Sequence, residues 1–327
     1  MSKFKPIDYD IIYLSYDEPN AEKNYADLCQ KVPWAKRVHG VEGSDAAHKA
    51  CAKLSETERF ITVDGDNRIR AEFLNQEIDF TEHVDLQNAV ISWCGRNEIN
   101  GLMYGNGGIK CWPTDYVLNM RTHENADPNN AHAQVDFCWD AQYIQMNSVY
   151  SDVYNNENAA QAWRAGFREG VKMGLEGGDV VDPDRIKHIF RENYKRLMVW
   201  MTVGEDVTNG LWAIYGARLG CHMTNIARTE WDWKNVRDFD WLTEYFNKEL
   251  APQFEGGEQM CPRTGMMWDI QKLKQETVRL GDDIRGKLDL EIADIGIEGS
   301  RFFKTVYKNP ARLGAMVRED QVEDSLE

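Results

Sequence analysis

Residues 59–67 read Arg59-Phe60-Ile61-Thr62-Val63-Asp64-Gly65-Asp66-Asn67, and this stretch decides the fold. An apolar, β-branched run enters Asp-Gly-Asp-Asn directly, which reads as a short buried strand ending in two carboxylates. Alternation along an extended chain points Asp64 and Asp66 the same way. Two hard oxygen ligands suit Mg²⁺ or Mn²⁺, and such a cation grips a diphosphate. Gly65 lets phosphate or backbone approach closely. Asp, Gly and Asn are also turn residues, so taken alone the same letters favour a tight turn.

The residues upstream weight the first reading. Asp10–Ser15 reads as a buried strand and 19–30 as a helix with Pro19 in its first turn. Residues 34–41 read as a second strand, and Ser44-Asp45 cap a helix running to Leu54. Strand, helix, strand, helix, strand at short intervals implies an α/β fold: a Rossmann-like, mostly parallel sheet flanked by helices. Ligands of such sheets sit at the carboxyl ends of the strands. Tyr16-Asp17-Glu18, Glu42-Gly43 and Asp64-Gly65-Asp66 all fall there.

Composition excludes several classes. The chain has 327 residues, 42% of them hydrophobic and 28% charged, so it is globular and suits one large domain or two sharing a core. Charges interrupt every apolar run before it reaches spanning length, and no apolar signal core follows the N-terminus. Seven scattered cysteines form no Cys-x-x-Cys pair, which favours reduced thiols and a cytoplasmic setting over a disulfide set or a zinc site. The net charge of −16 repels polyanions, so a nucleic-acid partner needs a local basic patch.

Further along, 89–94 reads as a strand, a Gly-rich stretch spans 101–108, and 130–155 shows no clear period. From Asn158 the pattern is helical, with Trp163, Phe167 and Val171 on one stripe. Gly166, Gly170 and Gly174 at fourfold spacing predict close helix packing. Residues 184–203 read as one helix, 211–219 as buried, and 239–250 and 268–290 as exposed amphipathic helices. The last ten residues read as a charged, frayed tail.

Ala47-His48-Lys49-Ala50 on a helix running into a strand that ends Asp64-Gly65-Asp66 resembles the nucleotide-sugar half of GT-A glycosyltransferases. In that family a polar pair precedes an Asp-x-Asp strand end, and His48-Lys49 takes the place of the pair. The resemblance implies Asp64 and Asp66 on Mn²⁺ or Mg²⁺, a nucleotide-sugar donor such as a UDP-sugar, and Tyr16, Asp17, His48 and Lys49 on the nucleotide. Gly204-Glu205-Asp206 followed by Gly210-Leu211-Trp212 and Arg218 looks like the Gly-Glu-Asp segment of inverting members. There an acidic residue opens a buried helix and takes the acceptor's proton, so Asp206 is the expected base and Glu205 the second choice. The distance from Asp66 to Asp206 implies an insertion.

The loop containing Gly107, Gly108, Lys110 and Trp112 is expected at the sugar, with Lys110 on a phosphate and Trp112 stacking on a ring, the other reading being a structural hairpin. His222 stands where many such enzymes place a late metal ligand, and His132 is an alternative. Together these segments look like the TET/JBP-associated glycosyltransferase family, which implies transfer to a 5-hydroxymethylpyrimidine in phage DNA. Arg185, Lys187, Arg191, Lys195 and Arg196 are then either a phosphate-contact face or a solvated helix face. The expected layout is a catalytic domain over 1–235 (nucleotide-sugar half 8–115, acceptor half 116–235) and a helical extension over 236–327. Oligomeric state stays open. The rival readings are a glycosyltransferase acting on a glycan or protein, a nucleotidyltransferase, which lacks its basic Gly-rich loop here, and a non-catalytic nucleotide-sugar-binding module.

Overall fold

A computed structural model describes residues 3–79, 89–104, 108–125, 137–138, 141–228, 231–260, 265, 267–307 and 316–317. The chain forms two compact units. The first comprises Met1–Glu98 and Leu102–Tyr154 with the C-terminal segment, and the second Ile99–Gly101 with Asn155–Lys308.

The first unit is a sheet of β1 (Asp10–Ser15), β2 (Lys36–His39), β3 (Arg59–Asp64), β4 (Asn67–Ile69), β5 (Ala89–Asn97), β6 (Met103–Tyr104), β7 (Ile109–Pro113) and β8 (Gln142–Val153). Its helices are α1 (Ala21–Lys31), α2 (Ser44–Leu54) and α3 (Thr114–Asn119). The order across the sheet is β8-β5-β7-β3-β1-β2, with the two-residue strand Met316–Val317 outside β8. β2–β1, β1–β3 and β5–β8 are parallel, and only β7 runs against both neighbours along this path. This mostly parallel α/β layout is consistent with a GT-A-like, Rossmann-type fold.

Alternate residues of the central strands supply two cores, one on each face. Ile11, Tyr13, Ile61, Val63, Ile91 and Trp93 pack with Ala21 and Leu28 of α1. Ile12, Phe60, Val90 and Trp112 pack with Cys51 and Ala52 of α2 and Val117 of α3. Strands buried on both faces need the continuous apolar runs seen in β1 and β3. β8 is a twelve-residue strand where the sequence shows no clear period, because its burial alternates only in part.

The second unit is helical: α4 (Ala159–Lys172), α5 (Arg191–Trp200), α6 (Gly210–Asn225), α7 (Phe239–Tyr245), α8 (Ala251–Phe254), α9 (Ile270–Leu288) and α10 (Gly296–Val306). A π-turn over Phe246–Leu250 joins α7 to α8. Asn158 caps α4, accepting from the Gln161 N–H at 2.8 Å. The small-residue stripe does what its spacing predicts. A Cβ at Gly166 or Gly170 would collide with the carbonyls of Ala213 and Ala217, and one at Gly216 or Gly220 with those of Trp163 and Phe167. The α4 and α6 backbones therefore touch, a contact closed to any larger residue. The predicted helix over 184–203 is instead a 3₁₀ segment, Pro183–His188, followed by α5. Arg218, 1% exposed, fastens α6 to its neighbours by donating to the carbonyls of Met201 (2.9 Å) and Thr277 (2.7 Å) and to Asp294 (2.6 Å).

All six described cysteines are unpaired, and five are buried. Among the described residues no helix is long and apolar enough to cross a membrane.

Candidate active site

β1 and β3 lie side by side with Leu14 opposite Asp64, so their carboxyl ends bring 16–18 beside 64–66. β3 ends at Asp64, and Gly65-Asp66 form a turn into β4, which pairs with β8. The turn reading is thus correct for the backbone, and strand alternation does not extend to Asp66. The turn is tightly braced. The Gly65 carbonyl accepts from the Tyr13 hydroxyl at 2.6 Å and from Asn24 Nδ2 at 3.0 Å. Arg68 holds the other end of Asn24 at 2.8 Å and lies over the Tyr154 ring. The Tyr154 N–H donates to the Asp66 carbonyl at 2.7 Å.

Gly65 is small for a reason not foreseen: a Cβ there would lie 2.5 Å from the Glu18 carboxylate. Glu18 is the acidic residue that sequence reasoning left out of the site, although it ends the β1 loop. Burial raises its carboxyl above the ordinary value, with Asp66 and Asp17 adding to the rise against the Tyr16 N–H that it accepts at 2.8 Å.

Asp64 faces the α2 side of the sheet. Burial raises its carboxyl, and the Lys110 ammonium pulls it back. Lys110 reaches that place because β7 pairs antiparallel with β3, setting Lys110 opposite Thr62. Gly108 has φ +73°, and a Cβ on it would stand 2.5 Å from Asn67 Nδ2 and 2.8 Å from Asp64 Oδ2. Asn67 Nδ2 also donates to Asp66 Oδ1 at 2.7 Å, and the same amide and the Asp64 carboxylate both border the space that a Gly108 side chain would fill. Its own Oδ1 is buried without a hydrogen-bond partner among the described residues. Asn67 belongs to the opening stretch, yet only the tertiary contact with Gly108 reveals its position.

Other expected residues fall as follows. Tyr16, 43% exposed, and Asp17 stand open at the end of β1. Lys49 is ion-paired to Asp45 on its own helix at 2.8 Å. His48 Nδ1–H donates to the Ser44 carbonyl at 2.8 Å, and the ring packs on Trp112 and Phe137; burial lowers it to about 4, so it is neutral near pH 7. Trp112 corrects an expectation. It is 0% exposed, with its indole N–H on Thr62 Oγ1 at 3.0 Å, because even-numbered β7 residues face the α2 core; it stacks on no ligand. Gly107 and His132 lie outside the described residues.

Glu205, Asp206 and His222 belong to the second unit. Asp206 does not open α6 as expected: it sits in a turn before the Asn209 cap and is clasped by Lys304 at 2.7 Å. Glu205 pairs with Lys274 at 2.6 Å. His222 lies 3.4 Å from Asp283 of α9, so its nearest carboxylate partner comes from the helical unit. Among the described residues no three His, Cys, Asp or Glu side chains converge as a metal cage. The basic cluster is not one open face: Arg196 is buried, Lys187 pairs with Asp289, and Lys195 pairs with Glu192.

No protein-family model and no curated protein matches this chain. Among solved structures, one similar chain is a glycosyltransferase involved in the glycosylation of the major capsid of PBCV-1, at 13% identity and a TM-score of 0.25, the match covering 44% of this chain and 93% of that one. With a likeness that slight, function has to be argued from the residues themselves.

Proposed function

We propose that the chain is a divalent-cation-assisted glycosyltransferase that moves a sugar from a nucleoside-diphosphate donor to a hydroxyl acceptor. The observation that carries this reading is the strand end itself. At the carboxyl end of β3 the Asn67 amide bonds Asp66 and, together with the Asp64 carboxylate, borders the space beside Gly108, with Lys110 near Asp64. The donor set fits Mg²⁺ or Mn²⁺. Two carboxylates and the partnerless Asn67 Oδ1 are hard oxygens, and Mg²⁺ ordinarily takes one or two carboxylates and completes its shell with phosphate and water. When bound, the cation supplies positive charge to the departing diphosphate.

The chain's own residues then divide the work. Asp64 and Asp66 hold the cation end of the donor. Lys110 offsets charge that grows on the diphosphate as the glycosidic bond breaks. Exposed Tyr16 and Asp17 meet the base and ribose, giving a flat ring and an acceptor for their hydrogen bonds. Asp206 takes the proton of the attacking hydroxyl. A cation also relieves the cost of ionising Asp64 and Glu18, whose carboxyls burial disfavours in the charged form.

The test is donor hydrolysis. Purified protein with Mn²⁺ and a panel of UDP- and GDP-sugars releases nucleoside diphosphate, and Asp64→Ala abolishes the release. No release and no donor binding by calorimetry would overturn the reading. Adding 5-hydroxymethylpyrimidine DNA or neutral glycans in parallel identifies the acceptor by accelerated release.

A further inference from the structure

Three segments distant in sequence meet around Asp206 in the helical unit. Its side chain is 7% exposed and that of Lys304, on α10, 11%. Lys304 Nζ donates to Asp206 Oδ2 at 2.7 Å and to the Ile99 carbonyl at 3.2 Å. A Cβ on Gly101 would stand 3.1 Å from Lys304 Cγ, so that glycine leaves room for the lysine stem. Gly204, at φ +145°, donates its N–H to Ser300 Oγ at 3.1 Å, and a Cβ there would press on Ile99 at 2.7 Å. The node is therefore built closely from 99–101, 204–206 and 300–304.

Two features separate it from a merely structural ion pair. Ser300 is the one buried residue that α10 contributes, while Ile297, Phe302 and Val306 are 48%, 68% and 59% exposed. The helix reaches into its unit through polar groups, chiefly Lys304. Second, Asp206 Oδ1 is sealed from solvent without a hydrogen-bond partner among the described residues. Leaving a buried acceptor empty is unfavourable, and a structural pair avoids it by satisfying both oxygens. Glu205 does not share this geometry, since Lys274 holds it at 2.6 Å at a more exposed position.

We infer that Lys304 is a positioning residue for Asp206: it engages Oδ2 and holds the side chain so that Oδ1 is left as the acceptor for a proton. This rests on the glycosyltransferase reading above. In the step so assisted, the acceptor oxygen bonds to the anomeric carbon and the bond from that carbon to the diphosphate oxygen breaks. The bonding pair leaves with the diphosphate, and the hydroxyl proton passes to Oδ1. For this, the 204–209 turn must expose Oδ1 to the hydroxyl while Lys304 stays on Oδ2.

The experiment measures UDP release from UDP-glucose, UDP-galactose and UDP-N-acetylglucosamine with Mn²⁺, water standing in for the acceptor, from pH 5 to 9. Without the ammonium the carboxylate loses the contact that fixes it, so K304M lowers kcat by about 10- to 100-fold. Donor KM stays unchanged, and K304R restores most of the rate. An unchanged kcat, a raised donor KM, or no rescue by K304R overturns the inference. If K304M does not fold, D206N decides: retained turnover overturns it, and lost turnover with intact donor binding supports it. Wild-type protein that binds no donor sinks the functional reading as well, whereas donor binding with an unchanged K304M kcat sinks the inference alone.

Discussion

Asp64 and Asp206 are both partly or wholly buried carboxylates, and the chain treats them in opposite ways. Asp206 has its cation built in, a lysine at 2.7 Å from a helix almost a hundred residues later. Asp64 has Lys110 acting only as a nearby charge, with burial the dominant influence on its carboxyl. Glu18, whose carboxylate takes the space beside Gly65, is raised in the same direction. One unit neutralises its acid internally, and the other leaves acids under-compensated where a strand ends. Under-compensated acids at a strand's carboxyl end are what a cation-bearing ligand needs.

Breaking the open side of this contrast has the largest expected effect. Asp64→Ala lowers donor turnover by about 10³-fold or more, in the range of losing a principal electrostatic contact in a transition state. Asp64→Asn does the same to turnover yet raises the melting temperature near neutral pH, since it removes a charge that burial disfavours. A melt and a turnover assay on the same preparation read both. Breaking the closed side acts on stability: Lys304→Ala strands a buried carboxylate and costs ~3–5 kcal/mol by urea unfolding, most of it recovered in the double variant with Asp206→Asn. The scaffold beneath it is tested by Gly170→Val, which forces α4 off the Ala217 carbonyl and costs about 3 kcal/mol in the same unfolding experiment.

Glu18 sharpens the comparison through pH. Its folded carboxyl is raised, so the folded state holds the proton more tightly than the unfolded chain does. The penalty is absent below the ordinary glutamate range and complete once pH exceeds the raised value. Glu18→Gln therefore raises the melting temperature at pH 8 and leaves it unchanged at pH 4, and Mn²⁺ with UDP narrows the difference. The smallest effect belongs to Trp112→Phe, which loses the indole bond to Thr62 for about 1 kcal/mol and leaves donor KM unchanged. A rise in KM would restore Trp112 to the ligand.

Several features were legible in advance because they depend on near neighbours. Runs such as Ile11-Ile12-Tyr13 and Phe60-Ile61-Thr62-Val63 announce strands covered on both faces, and Asn158 announces the start of α4. The fourfold glycines of α4 predicted backbone contact, and their partners on α6 supply it. The break between Pro183–His188 and α5, and the strand β8, were missed because neither carries a clean period.

By itself, the sequence determined an α/β sheet whose third strand delivers Asp64 and Asp66 to a carboxyl edge, since strand propensity and the Asp-Gly-Asp-Asn turn are local properties. Only the tertiary structure decided which side chains answer those acids. Glu18 against Gly65, Asn67 against Gly108, Trp112 inside the α2 core, and Lys304 on Asp206 are contacts between segments separated by tens to hundreds of residues. Burial and pairing at such range follow from how strands and helices pack, and no local pattern encodes them.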